Sequence, residues 1–107
     1  MKVIWHQQAI EGREQIAEYI REYFGAMSKA RFLQEVRRII RMLKLSPNIG
    51  SIDPLFANRS IAYRSIIING LSKLIYFVEG DTVYIADFWD VRREPEALAA
   101  QVKGKIR

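Results

Sequence analysis

The stretch Tyr63–Pro95, YRSIIINGLSKLIYFVEGDTVYIADFWDVRREP, decides the fold of this chain. It contains three runs of β-branched and aromatic residues. The three runs cover approximately residues 62–68, 73–79 and 82–89. Asn69-Gly70 marks a turn after the first run, and Glu79–Thr82 closes a tight hairpin after the second. Because both connections are short, the pattern predicts an antiparallel meander. The middle run is apolar throughout Leu74–Val78, so we expect it to be covered on both faces.

Upstream of the meander, the apolar spacing predicts a short strand and a first helix. Val3–Trp5 is a brief apolar run. From about Ala9 to Phe24 the apolar residues recur at helical intervals, which indicates an amphipathic helix. Tyr19 and Tyr23 follow this stripe, so we expect both in the core. Gly25 is typical of a helix end.

A second helix follows, and the two together form a helical hairpin. Ser28 is a suitable cap for it, and apolar residues at helical spacing continue over 32–43. Residues 46–62 read as a long irregular connection, which we expect to be packed or functional, and residues 95–102 as a short terminal helix. The chain is therefore predicted to be a single α+β domain over residues 1–107, in the order β-αα-βββ(α). Its helix hairpin packs on one face of a mostly antiparallel four-stranded sheet.

Composition narrows the class of protein. The 107 residues include no cysteine, which excludes disulfides and thiolate metal sites. No apolar run has the length of a signal peptide or a membrane span, so we expect a soluble cytoplasmic protein without membrane contact. No phosphate-binding glycine loop, nucleophile set or metal-ligand spacing is present, and we expect no cofactor and no metal.

The positive charge is concentrated in one segment. The chain has a net charge of +5, whereas residues 29–64 alone carry eight basic and two acidic residues, a net charge of +6. Five of these basic residues lie off the apolar stripe of the second helix. They are Arg31, Arg37, Arg38, Arg41 and Lys44. Such a surface favours a nucleic acid or an acidic protein as partner, although a solvated helix face has the same composition.

Taken in this order, the chain resembles the RelE/ParE toxin superfamily of type II toxin–antitoxin systems. The resemblance runs from about Val3 to Leu98 and rests on VIWHQQA, IAEYI, KLIYFVEGDTVYI and WDVRREP. It implies a small basic toxin held inactive in a hetero-oligomer by an antitoxin that wraps the helix hairpin and the sheet. ParE-type members poison DNA gyrase, and RelE-type members cut messenger RNA in the ribosome. Fold alone does not choose between these targets.

The resemblance also implies where a catalytic site would lie. Arg64, Lys73 and either Arg92 or Arg93 match basic positions that would neutralise a phosphate in a RelE-type nuclease. However, no tyrosine follows Tyr84, and the single histidine is His6, so the usual proton-transfer groups are missing near the end of the chain. This favours the ParE-like, non-enzymatic interpretation. The RelE-like nuclease, a basic nucleic-acid-binding module and an inactive relic of the toxin fold stay as alternatives.

Each of these residues also has a plainer interpretation. Arg64 in a strand could be a structural partner of Asp87 or Asp90, since inward charges are usually paired. Trp89, a candidate for stacking on a base or a partner, is more typical of core packing. We expect a surface or strand-end position for His6.

Overall fold

The computed structural model describes residues 1–91 and Val102. The two helices are α1 (Gln7–Phe24) and α2 (Ala26–Leu45). The five strands are β1 (Lys2–Trp5), β2 (Ser51–Ile52), β3 (Arg64–Ile68), β4 (Ser72–Glu79) and β5 (Thr82–Asp90). A 3₁₀ turn, Pro54–Phe56, lies between β2 and β3. The helix predicted over 95–102 falls outside the described residues, apart from Val102.

One mixed sheet contains all five strands, in the order β1-β5-β4-β3-β2. The predicted meander of β3, β4 and β5 is confirmed as antiparallel, and β1 joins it in parallel beside β5. The prediction of four strands was one too few, because Ser51 and Ile52 pair with Ser65 and Arg64. A strand of two residues is too short to show any alternation of apolar and polar side chains.

The helix boundaries differ from the prediction at both starts. His6 caps α1, and its Nδ1 accepts the N–H of Gln8 at 3.3 Å. The sequence suggested Ser28 as the cap of α2, but Ser28 lies inside this helix. Gly25, with φ of 96°, both ends α1 and starts α2, so the second helix begins at Ala26. A positive φ costs glycine little, which allows so abrupt a reversal of direction.

The helices cover one face of the sheet, as predicted. Their buried residues, such as Ile20 and Val36, meet Leu74 and Phe88 in the main core. Tyr19 packs against this core, whereas Tyr23 is 65% exposed, so its predicted place in the core was wrong. Tyr23 lies in the last turn of α1, where its ring packs 4.7 Å from the Tyr19 ring.

The opposite face of the sheet is covered by the chain between β2 and β3. Phe56 and Tyr63 pack there against Ile75 and Phe77 of β4 and form a second buried cluster with Trp89 and Val102. This confirms that the middle strand is covered on both faces and that the long connection is packed.

A β-bulge at Ala86 changes the phase of the last strand. Ile75 pairs with Asp87, whereas the next residue, Tyr76, pairs with Ile85, so Ala86 is the extra residue. Before the bulge Ile85 faces the helices, and after it Phe88 does. The bulge therefore keeps Asp87 out of the helix-side core.

Candidate functional site

Lys73 lies on the loop-covered face of the sheet. Its ammonium Nζ is 2.7 Å from Oδ2 of Asp53 and 5.5 Å from the centre of the Trp89 ring. Asp53 is 1% exposed and also accepts the N–H of Leu55 at 2.9 Å, which caps the 3₁₀ turn. Burial is the largest single effect and opposes ionisation of Asp53. The hydrogen bonds from Lys73, from the Leu55 N–H and from Ser65, together with the charge of Lys73, outweigh it and hold the pKa of this carboxyl below its usual range. Lys73 is thus engaged in an ion pair that fastens the loop to the sheet.

Arg64 lies on the other face. It pairs in register with Tyr76, which belongs to the helix-side core, whereas Lys73 is an odd number of residues away along β4. Its Nη1 donates to the carbonyl oxygens of Gly50 at 2.7 Å and Asn48 at 3.3 Å. Its predicted structural partners, Asp87 and Asp90, were therefore wrong. Arg64 does have a structural partner, but that partner is the backbone of the segment before β2.

Tyr76 completes this anchor on the helix side. Its hydroxyl donates to the Pro47 carbonyl at 2.8 Å and accepts the N–H of Gly50 at 2.9 Å. A Cβ at Gly50 would lie 2.8 Å from that hydroxyl, so glycine is required for the close approach. Arg64 and Tyr76 together fix the path of residues 47–50.

Of the four candidate catalytic residues, the two that the structure describes are not brought together. Arg64 and Lys73 point to opposite faces of the sheet, and each has a structural partner. Arg92 and Arg93 lie outside the described residues. Trp89 is 4% exposed and packs 5.9 Å from the Phe56 ring, which confirms core packing and leaves no free ring face for stacking.

Sequence reasoning missed a cleft beside the start of α1. It has a volume of about 600 Å³ and lies between α1 and the part of β5 that extends past β1. Asp87 lies at its wall, 3% exposed, and its Oδ2 accepts the side-chain amide of Gln8 at 2.6 Å. Burial raises the pKa of Asp87, although the hydrogen bonds from Gln8 and from the Phe88 N–H oppose the shift. The signal in the sequence was an acid, Asp87, with apolar residues on both sides.

The basic residues of α2 form an exposed face. The buried positions Phe32, Val36, Ile39 and Leu43 define the side that meets the core. The five basic side chains lie on the opposite side and are all exposed. Arg38 is held in an ion pair by Glu35, with Nε 2.7 Å from Oε1. We call the surface formed by Arg31, Arg37, Arg38, Arg41 and Lys44 the basic face of α2.

The described part of the chain offers no metal centre and no membrane-spanning helix. Among residues 1–91 and Val102, no three acidic or histidine side chains lie close enough together to hold a metal ion. Neither α1 nor α2 carries an apolar stretch long enough to cross a membrane.

The fold of this chain is also found in a solved structure of a toxin–antitoxin system. Its fold is similar to a chain described as the chromosomal ParDE toxin–antitoxin system from P. aeruginosa, with a TM-score of 0.67 over 84% of this chain and 95% of that chain. The two sequences are 15% identical. A comparison with curated proteins gave no match.

The family follows from the sequence itself. A model described as the ParE toxin of the type II toxin–antitoxin system parDE matches residues 3–95. The chain therefore belongs to the ParE toxin family of type II toxin–antitoxin systems, which confirms the resemblance seen in the sequence. Membership of this family implies an antitoxin as partner.

Proposed function

We propose that this protein arrests growth when it is free of its antitoxin, and that it does so by acting on DNA gyrase. The observation that carries this choice is the separation of Arg64 and Lys73 on opposite faces of the sheet. A ribonuclease of the RelE type needs several charged groups around one phosphate. Here one cation binds backbone carbonyls and the other a buried carboxylate.

Proton transfer gives a second argument against a ribonuclease among the described residues. His6 caps α1, and Tyr76 holds the loop through both its donor and its acceptor. Burial raises the pKa of Tyr76, so its hydroxyl stays protonated at neutral pH. In both side chains, the hydrogen bonds that the structure shows serve the fold.

The surface between the two helices suits the antitoxin. A groove of about 590 Å³ runs along the hairpin. Its floor contains Ala17, Leu33 and Val36, and its rim carries charges of both signs, including Arg13 and Glu14. An amphipathic segment can bury apolar side chains in such a groove and pair its charges at the rim. We propose this groove as part of the antitoxin site.

The test is controlled expression of the chain alone, followed by two readouts at the onset of arrest. We expect transcripts with intact coding regions together with induction of the DNA-damage response. With the purified chain and purified gyrase, we expect loss of supercoiling and accumulation of cleaved DNA. New transcript ends within translated codons, with supercoiling unaffected, would replace this proposal by the ribonuclease alternative. Absence of arrest would favour a binding module or an inactive relic.

A matched pair of variants makes this test sharper. Arg64→Ala and Tyr76→Phe each remove one anchor of residues 47–50, but only the first removes a charge. We expect both to retain arrest to a similar degree. A folded variant at Arg64, Lys73 or Arg92 that abolishes arrest, while Tyr76→Phe retains it, would assign that residue a direct role in toxicity. It would assign a nuclease role only if the unaltered chain also produces new transcript ends within translated codons.

A further inference from the structure

The basic face of α2 concentrates positive charge on one exposed side of a helix. Its five cations lie within a stretch of 14 residues that has a single acid, Glu35. Glu35 pairs with Arg38, and the structure gives no carboxylate partner to the other four among the residues it describes. The basic face does not pack in the core, because the opposite side of α2 carries the buried residues.

The spacing of the cations suits a regular array of phosphates. Arg37, Arg41 and Lys44 follow one another at intervals of four and three residues, so they form one row about 10 Å long. Arg31 and Arg38 flank this row and extend the face to about 20 Å along the axis. One strand of duplex DNA places a phosphate about every 3.4 Å along its axis, so about six phosphates span the same length.

The same face lacks what other partners require. A protein interface needs apolar or aromatic anchors at its centre, whereas the exposed apolar residues of α2, Met27 and Leu45, lie at its two ends. A single-stranded nucleic acid needs aromatic rings on which bases stack, and the basic face has none. Four of its five cations are arginines, which bind phosphate oxygens through two parallel hydrogen bonds.

We propose that the basic face of α2 binds the phosphate backbone of duplex DNA without regard to sequence. The choice of DNA over duplex RNA rests on the proposed function, since gyrase works on duplex DNA. The toxin would then hold the DNA directly while it acts on the enzyme. We assign the contacts of these cations to phosphate oxygens, which supply affinity and carry no sequence information.

The experiment measures binding of the full chain to a fluorescent 30-base-pair DNA duplex by anisotropy at several salt concentrations, without gyrase. We expect affinity to fall steeply with salt. The triple variant Arg37→Gln, Arg41→Gln and Lys44→Gln should bind at least tenfold more weakly. It should also reduce the slope of log affinity against log salt by about 2 to 3. Glutamine is a good helix former, so these exposed substitutions should leave the helix intact.

A second triple variant is the matched control. Lys2→Gln, Arg21→Gln and Lys29→Gln change the net charge equally, but these residues lie on β1, on α1 and on the side of α2 that faces Glu18. We expect this control to keep most of the affinity and the slope. Equal losses in the two triple variants would overturn the proposal, because binding would then follow net charge alone.

Other probes separate the remaining partners. Polyglutamate that competes as well as unlabelled DNA would overturn the proposal in favour of an acidic protein partner, and tighter binding of duplex RNA would overturn it in favour of RNA. Inhibition of gyrase by a chain that does not bind DNA would remove this surface and leave the proposed function intact. DNA binding by a chain that leaves gyrase unaffected would support this surface and overturn the proposed function.

Discussion

Lys73 and Asp53 illustrate how one ion pair can fix a long loop. The carboxylate comes from the segment between β2 and β3, and the ammonium comes from β4. The Lys73 side chain keeps 19% of its exposure, whereas Asp53 has almost none. Loss of the lysine charge would therefore leave a buried carboxylate without its main partner, which costs more than the pair itself contributes.

The first prediction concerns the pH dependence of this pair. The pKa of Asp53 lies below its ordinary value of 3.8, so its stabilising contribution is complete above that value and is lost as the pH falls through the folded pKa. Asp53→Asn should lower the free energy of unfolding by about 1 to 3 kcal/mol at pH 7. The difference should shrink below pH 4, as measured by urea denaturation. A difference that does not change with pH would contradict the role of the charge.

Asp87 gives the opposite expectation. Burial raises its pKa, so the ionised carboxylate costs stability as the pH rises through the folded pKa. Asp87→Asn keeps an acceptor for the Phe88 N–H and should raise the free energy of unfolding by about 1 kcal/mol at pH 7. The gain should vanish near pH 3. Asp81→Asn, at an exposed turn, is the control and should change stability little. A loss of stability in the Asp87 variant at neutral pH would contradict the assigned cost of the charge.

At the scale of elements, α1 approaches β5 closely at a single glycine. A Cβ at Gly12 would lie 2.2 Å from the carbonyl oxygen of Phe88, which is backbone and cannot turn away. The contact brings α1 against the outer edge of β5 past the end of β1. This part of the strand edge is thus covered by a helix, which protects it from pairing with another chain.

Gly12→Ala should therefore destabilise the fold, although alanine is the better helix former by about 1 kcal/mol. We expect a loss of about 2 to 4 kcal/mol, because α1 must move away from β5 along its length. Ala30→Gly, on an exposed turn of α2, measures the helix propensity term alone and should cost about 1 kcal/mol. Thermal unfolding of both variants tests this. A Gly12 variant as stable as the wild type would show that the two elements can separate without cost.

The sequence predicted most elements because their residues repeat at the period of the structure they form. Apolar spacing located both helices and the three strands of the meander, and the turn residues separated those strands. It could not predict β2, whose two residues are held by the register of β3. Nor could it place the start of α2, where the positive φ of Gly25 removed the need for the Ser28 cap.

The site was harder to predict, because it depends on which face of the sheet each side chain takes. Arg64 and Lys73 were both expected in strands, and both are. Their separation follows from the pairing of Arg64 with Tyr76, which no local pattern reveals. The basic face of α2, in contrast, depends only on helical period and was visible in the sequence.

On the molecule as a whole, the most exposed apolar side chains of the described residues lie at the ends of the helix hairpin. Phe24 is 64% and Met27 72% exposed beside the reversal at Gly25, and Leu45 is 86% exposed at the other end. The hairpin therefore exposes apolar surface, and the exposure is greatest at its ends. Such patches favour association unless a partner covers them.

The double variant Phe24→Ser and Met27→Ser tests this expectation. It should raise the concentration at which the chain alone begins to associate, because it removes two exposed apolar side chains and no buried one. Light scattering across a dilution series measures the change. The free energy of unfolding should change by less than about 1 kcal/mol. An unchanged onset of association would show that another surface drives it.

The bulge at Ala86 has a consequence for the comparison of relatives. In a relative whose last strand lacks the extra residue, each position after it is shifted by one, and an alignment without a gap would match inward residues with outward ones. The correct alignment places a one-residue gap in the relative, opposite Ala86. Phe88 is then matched with the relative's own inward residue. Insertions within strands are rare, so such a gap would divide the family into two groups. Members with the extra residue can carry an acid at the wall of the cleft, whereas members without it carry an apolar side chain in the core.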